Sequence, residues 1–485
     1  MKHPDVQALV YASFAQLRHC RYLLLRIRDA DAARAWLRQP EVLGLVKGGA
    51  DLRREDAQDE ALSVAFTHAG LLAMGLEEDH DFPFPTAFRE GMNQPDRARA
   101  LADRSVDEWA WGDLGGDVRQ HVQVLLAHFR KEAFEAESGP LSLPALERGG
   151  LEVVRMVKTC PSYIRNDGEG TQLFEPFGFR DGLSQPVLRS TADDSRMQRK
   201  RREKVGGDLA EDSVVADGEF ILGWPNEYGD PAYAPDDARW RAARLEGAPP
   251  QRFATHGSYL AVRHIRQHVD RFKAFAAAHP APDATTPSLV EKMVGRRIDG
   301  TPLVKCPFAP PDPDAFRYRV DDAEGFQCPL GSHIRRGNPR DTLGFDVASG
   351  VAQSKRHRLI RRARIYAGEC QQAGKGGCGH ADGRRDCGQG LFFIALNADL
   401  DRQFEFVQQR WVGNPRFADL AGENDPIMGG RGANAFTVQG PAVGQRTVNI
   451  PPFTEMVGGG YFFLPGLTAL RFLATQGQGE LPGSD

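Results

Sequence analysis

"RYLLLRIRDADAARAWL" (residues 21–37) and "SYLAVRHIRQHVDRFKAF" (258–275) follow one plan, a short apolar run and then a stretch of helical periodicity. In the second, Val269, Phe272 and Ala276 recur at i, i+3 and i+7, which draws one face of a helix. The two align by eye, Tyr22-Leu23-Leu24-Leu25-Arg26 against Tyr259-Leu260-Ala261-Val262-Arg263. "LSVAFTHAGLLAMGL" (62–76) and "LFFIALNADLDRQFEFVQQRW" (391–411) repeat the plan, and in the latter Phe404, Val407 and Trp411 make the apolar stripe. "VVRMVKTC" (153–160) and "GYFFLPG" (460–466) add a closing strand to each half. Two strand–helix pairs and a closing strand per half predict a duplicated split β-α-β unit. That is an α+β architecture of two antiparallel sheets carrying helices on one face.

Working outward, the N-terminal unit is expected over residues 1–190 and the C-terminal unit over 216–475, with a tail at 476–485. Between the units, 191–215 holds "SRMQRKRREKVGGDLAEDS", which reads as a charged linker or loop. A glycine-rich insert, "GECQQAGKGGCGHADGRRDCGQG" (368–390), separates two strands of the second half. Its Cys370, Cys378, His380 and Cys387 lack any C-x2-C pair, so a surface loop outweighs a zinc site.

The 485 residues, 41% hydrophobic and 26% charged, suit a soluble globular protein with a sizeable core. A net charge of −4 offers no overall basic field to nucleic acid or an anionic membrane, so small molecules or protein are the expected partners. No apolar run reaches 18 residues, and the N-terminus lacks the pattern of a secretory signal. Seven cysteines without a regular framework fit free thiols, and the expected location is cytoplasmic. Phosphate-loop, dinucleotide-binding, nucleophile-elbow, H-E-x-x-H and C-x-x-C-H signatures are all missing.

Three local sequences carry possible chemistry. In "EPFGFRDGLSQPVL" (175–188), Asp181 sits between Arg180 and Gly182 beside apolar Phe177, Phe179 and Leu183. A carboxylate buried in such a turn must be paired, hydrogen-bonded or used to carry a proton, although for an arbitrary Asp-Gly a turn role is the commoner one. In "CPLGSHIRRGNPRD" (328–341), His333 lies near Arg335, Arg336 and Arg340, so an iron ligand with anion-binding guanidinium groups is conceivable beside an ordinary hydrogen-bonded histidine. In "HRLIRRARIYAG" (357–368), strand alternation sends Arg361 and Arg362 to opposite faces, so only one enters a pocket.

Taken in order, "GFRDG", "GSHIRRGNPRD", "LIRRARIYAG" and "GLFFIALNADLDRQFEFVQQRWVGNPRF" closely resemble the dye-decolorizing peroxidase family, in its larger cytoplasmic branch. The resemblance implies two ferredoxin-like halves and a non-covalent haem b in the C-terminal half. It implies His333 as the proximal iron ligand, Asp181 over the distal face as the acid–base group, and Arg361 as the distal arginine. Gly178 and Gly182 would let the backbone approach the haem edge, Leu391 and Phe393 would limit solvent, and Arg340 would meet a propionate. Glu405 is a candidate to orient His333. Hydrogen peroxide and a bulky aromatic reductant would be the substrates, with a homo-oligomer possible and Trp411 read as core packing rather than a radical relay. A haem-binding, haem-sensing or iron-releasing protein is the alternative, but such a protein has no need of both Asp181 and Arg361.

Overall fold

The computed structural model describes residues 2–53, 59–103, 106–113, 121–134, 139–159, 164–166, 171–193, 195–245, 251–308, 310–366, 388–429 and 435–475. The insert residues Cys370, Cys378, His380 and Cys387 lie outside these residues, as does the 476–485 tail. In the first half, β1 (His19–Ile27), β2 (Glu60–Phe66), β3 (Val124–Arg130) and β4 (Leu151–Lys158) form an antiparallel sheet ordered β2-β3-β1-β4. In the second, β5 (Ser258–Gln267), β6 (Ile360–Arg361), β7 (Arg364–Tyr366), β8 (Gly390–Asn397) and β9 (Thr454–Leu464) are ordered β6-β8-β5-β9, with β7 also on β8. Counting β6 and β7 as one interrupted strand, each half places its strands second, third, first, fourth. This is the split β-α-β arrangement, made twice.

The two expected sheets are continuous with each other. β9 meets β2 at Phe463 opposite Phe66, and both rings are buried. Both faces of this sheet are covered, which is why β1 reads as an almost unbroken apolar run. Leu23 and Leu25 enter one core and Tyr22 and Leu24 the other, as the period of two requires. Tyr259, matched by eye to Tyr22, faces the opposite core from it.

The helix α1 (Ala30–Leu37) begins at Asp29, whose side chain accepts hydrogen bonds from Asp31 N and Ala32 N, and it buries Ala33, Trp36 and Leu37. The segment after β8 winds as π-helical turns, Asp401–Glu405 and Val407–Val412, and buries Phe404, Val407 and Trp411. The charged stretch at 191–215 is not a loop: it contains helices at Arg196–Val205 and Gly207–Glu211. Its straight-chain Arg, Lys, Glu and Gln residues favour a helix, and Ser195 caps the first one. Arg201 turns inward from it and pairs with Asp312 (2.6 Å) and Asp314 (2.8 Å) of the second half. No helix among the described residues is long and apolar enough to cross a membrane.

Candidate active site

Residues 173–181 close a tight hairpin. Phe174 bridges Arg180, Glu175 N donates to Phe179 O (2.9 Å) and Asp181 N donates to Leu173 O (2.8 Å). Gly178 and Gly182 have φ of 101° and 76°, and a Cβ at either would meet no atom within 4 Å, so the requirement for glycine is conformational. Alternation about the 174/180 bridge sends Leu173, Glu175, Phe179 and Asp181 to the same face. All four line an interior cavity of about 440 Å³. Gly182 lines it too, whereas Gly178 shapes the turn outside the wall. The Asp181 carboxylate accepts a hydrogen bond from Gly182 N (2.6 Å) and makes no ion pair, with Arg180 or with any other described residue.

Another wall belongs to His333, the first residue of the helix α4 (His333–Gly337), here numbered after α2 (Leu143–Arg148) and α3 (Val269–Ala278). Its Nδ1 lies 2.8 Å from Asp425 Oδ2. Asp425 is buried, and its other oxygen accepts from Ile427 N (2.9 Å) and Met428 N (2.8 Å). Burial pulls the imidazole pKa down, but the charge and hydrogen bond of Asp425 outweigh it and hold His333 above its ordinary value. Burial likewise pushes Asp425 up, and His333 more than reverses this. The pair leaves Nε2 to face the cavity, onto which the 37% exposed His333 side chain opens.

Glu405, expected to orient His333, does not reach it. Its carboxylate is taken by Arg97 (2.6 Å) and by the Tyr461 hydroxyl (2.6 Å) on the core side of the π-helical segment. The arginines beside His333 are also otherwise engaged. Arg335 donates to the carbonyls of Asp322, Ala323 and Cys328, and Arg336 to those of Gly331, Trp411, Asn414 and Glu423. They staple loops around the histidine. Arg340 does line the cavity, ion-paired with Asp314 and 3.7 Å over the Phe316 ring. Trp411 packs edge-on against His357 and Phe406, as core.

Strand alternation separates the two arginines of β6. Ile360 enters the core on one side of the sheet, so Arg361 points to the other, where it lines the cavity and donates to the Leu183 carbonyl. Its own N–H donates to Gln185 Oε1 (3.1 Å), so it is tied to the loop that follows Asp181. Arg362 also borders the cavity, but its guanidinium is held by the carbonyls of Leu9 (2.8 Å) and Val10 (2.7 Å). Leu391 and Phe393, two apart on β8, line the same cavity opposite Ile265 and Arg263 of β5.

Sequence reading passed over four residues of this site. Asp425 stands 92 residues from His333, and no spacing rule links them. Glu175 opens the very stretch that drew attention to Asp181, and Gln267 ends β5 as its hydrogen-bond partner (2.7 Å). Arg358 is the fourth: it lines the cavity, and among the described residues its guanidinium donates a single hydrogen bond, to Ser184 O (3.0 Å). A charged residue three positions before Arg361 was the available signal.

The fold and site together define a class: a duplicated α+β protein whose two halves wall one interior cavity, the first with carboxylates and the second with a carboxylate-fixed histidine and an arginine. No family model matches the chain. It is similar to the multifunctional dye peroxidase DyP2 of an Amycolatopsis species, with 28% identity over 445 residues, 85% of this chain and 82% of the relative. It is also similar to a dye-decolorizing peroxidase of Mycena epipterygia, with 26% identity over 477 residues, 90% of this chain and 80% of the relative. Among solved structures, a fungal DyP-type peroxidase from Auricularia auricula-judae superposes with a TM-score of 0.69 at 21% identity, covering 97% of this chain and 98% of that one. The Anabaena DyP-type peroxidase gives 0.66 at 20%, covering 94% and 91%. These structural likenesses establish the fold. The curated relatives are named dye-decolorizing peroxidases, so over more than four fifths of its length the chain is similar to peroxidase enzymes of that kind.

Proposed function

We propose that this chain is a cytoplasmic haem peroxidase that uses hydrogen peroxide to oxidise bulky aromatic reductants, with a non-covalent haem b against His333. The observation that supports this most is the convergence of Asp181, Arg361 and His333, from three distant segments, on one cavity, with the second nitrogen of His333 already engaged by Asp425. A metal-ligating histidine characteristically donates its other N–H to a carboxylate in this way.

The residues present fit the cofactor. The cavity is of ligand-binding size, and Leu391, Phe393, Ile265, Val407 and Met428 give it apolar walls. One end is strongly cationic: Arg296, Arg340 and Arg358 line it, and together with Arg201 they outnumber the carboxylates Asp312 and Asp314 that they pair with. Burial pulls Arg296 and Arg358 down to about 10, and the Asn338 side-chain amide nitrogen is buried in the same wall without a partner. An anion carrying carboxylates would satisfy both the charge and the amide. Arg340 supplies field there, since its guanidinium is largely consumed by Asp314 and Phe316; Arg358 and Asn338 have N–H groups to spare.

When bound, the haem supplies the iron that holds peroxide and stores the oxidising equivalents of O–O cleavage. The protein does the rest. Asp181 takes the proton from one peroxide oxygen and returns it to the other, as a positioned acid–base group. Arg361 stabilises the negative charge that builds as the O–O bond breaks, in a site where few waters compete. Leu391 and Phe393, apolar walls of the same cavity, would limit the water that reaches Asp181 and Arg361. Asp425 keeps the His333 proton on Nδ1 and orients the ring.

A haem-handling protein without turnover needs His333 but neither Asp181 nor Arg361. The separating experiment adds peroxide and an aromatic dye to haem-loaded wild type, Asp181→Asn and Arg361→Leu. Oxidation by the wild type with loss in both variants supports the peroxidase; equal activity in all three contradicts it.

A further inference from the structure

Glu175, half-buried in the cavity wall, differs from several carboxylates of the core in making no ion pair with any described residue. Asp314, Glu405, Glu219 and Asp425 each pair with an arginine or a histidine. Among the described residues Glu175 has only neutral donors: Phe179 N (2.9 Å) to Oε1, and Phe177 N (3.0 Å) and Gln267 Nε2 (2.7 Å) to Oε2. It shares the cavity face of the 173–181 hairpin with Asp181, diagonally across the 174/180 bridge. Diagonal neighbours of a two-stranded ladder are about 7–8 Å apart, a gap one water molecule spans.

Gln267 supplies the second observation. Its Oε1 is buried without a partner among the described residues, while its Nε2 donates to Glu175. Turning the amide over would place Oε1 where a protonated Glu175 donates its O–H to it. The ionised and the protonated carboxyl therefore each find a partner in the same side chain, at the cost of an amide flip.

We propose that Glu175 is a second proton-carrying group of this pocket, exchanging its proton with the cavity beside Asp181 and refilling it under the control of Gln267. The inference rests on the peroxidase reading above. In the overall reaction, H2O2 and two molecules of an aromatic reductant AH give two H2O and two radicals A. Asp181 shuttles the proton needed to release the first water, and that shuttle leaves Asp181 as it began. The second oxygen leaves as water only after two electrons and two protons reach it. Each AH supplies one electron and one proton; Glu175 hands over a stored proton and is refilled by the one that oxidised AH releases.

The electrostatics agree with this geometry. Burial raises Glu175 to about 7, against the lowering pull of its three hydrogen bonds, and Asp181 adds to the rise. The charged groups that share the cavity wall with it include Asp181 from its own hairpin, His333 from α4, Arg361 from β6, Arg263 from β5 and Arg296. Arg263 is held by Asp103, and Arg296 donates to the carbonyls of Gly300 (2.8 Å) and Pro313 (2.7 Å). None makes a salt bridge with Glu175.

The test has two arms on the haem-loaded protein. By infrared difference spectroscopy between pH 5 and pH 9, wild type should show a carboxylic C=O band that titrates near pH 7, with the measuring range marked as roughly two units either side of that midpoint. The band should vanish in Glu175→Gln, persist in Asp181→Asn, and return shifted in Glu175→Asp; an unchanged band in Glu175→Gln overturns the proposal. In rapid-mixing kinetics, Glu175→Gln should slow the reductive half-reaction by about tenfold or more and remove its pH limb near 7, with less than about a twofold effect on peroxide consumption. Equal slowing of both halves with an unaltered pH profile would make Glu175 a mere staple of the hairpin and overturn the proposal. A titrating band in a wild type that turns over no peroxide would sink the peroxidase reading and the delivery step with it, leaving Glu175 only a proton-binding site.

Discussion

His333 Nδ1 and Asp425 Oδ2 lie 2.8 Å apart although 92 residues separate them, and two backbone N–H groups hold the other Asp425 oxygen in place. The histidine is thus oriented before any ligand arrives. Asp425→Asn keeps the shape but removes the charge. It should weaken haem retention or peroxidase activity by about 10–100-fold, read by haem transfer to an apo-acceptor and by the visible spectrum. Wild-type retention and activity would mean that Asp425 does not support a ligating histidine.

Asp181→Asn retains an oxygen acceptor for Gly182 N but no basic group. The expected loss in kcat/KM for peroxide is about 10²–10⁴-fold, measured by stopped-flow mixing with peroxide. Arg361→Leu should cost about 10²–10³-fold by the same measurement, and it also frees the Leu183 carbonyl, so the hairpin loop should become more mobile by hydrogen exchange. A variant of either kind that cleaves peroxide at the wild-type rate would remove that residue from the mechanism.

Away from the cavity, Asp113 offers a pH test of stability. Its buried carboxylate accepts from Met92 N (3.0 Å) and Tyr461 N (2.5 Å), and burial, only partly offset by these bonds, raises it from 3.8 to about 6. A carboxyl raised on folding imposes no penalty below its unfolded pKa; the penalty grows as pH climbs from the unfolded to the folded value and is constant above it. Asp113 should therefore withdraw about 3 kcal/mol, as an order of magnitude, between pH 4 and pH 6.5. Denaturant titrations of wild type and Asp113→Asn should converge or cross over that interval; a constant difference between them would refute the shift.

The seam between the halves is testable as packing. Phe463 is fully buried, bridges Phe66 and contacts Phe84, Phe253 and Tyr259. Phe463→Ala should destabilise the fold by about 3–5 kcal/mol in urea unfolding. A loss below about 1 kcal/mol would mean that the seam carries little of the stability.

Element by element, the duplication was legible because the apolar runs are long and the helices periodic. β3, "VLLAHFR", was not picked out: it lacks the strand-then-helix plan from which the repeat was drawn. Residue by residue the repeat misleads, since Tyr22 and Tyr259 face opposite cores and one step along a strand reverses every side chain. The helix at Arg196–Val205 was hidden by its charge, because Arg201 buries its guanidinium only through Asp312 and Asp314, more than a hundred residues on. For the same reason Asp425 was invisible, and Glu405, on the right kind of helix, was the wrong choice: a pairing across such a distance is a property of the fold. Arg361 against Arg362 was decidable in principle from alternation, once Ile360 is known to enter the core.

The visible absorption spectrum of the purified, haem-supplied protein, before and after peroxide, tests the central claim most directly. The account predicts a Soret band that changes on adding peroxide and reverts with an aromatic reductant, and its loss or severe weakening in His333→Ala. A protein that stays colourless when haem is supplied, or a band indifferent both to peroxide and to removal of His333, would contradict it.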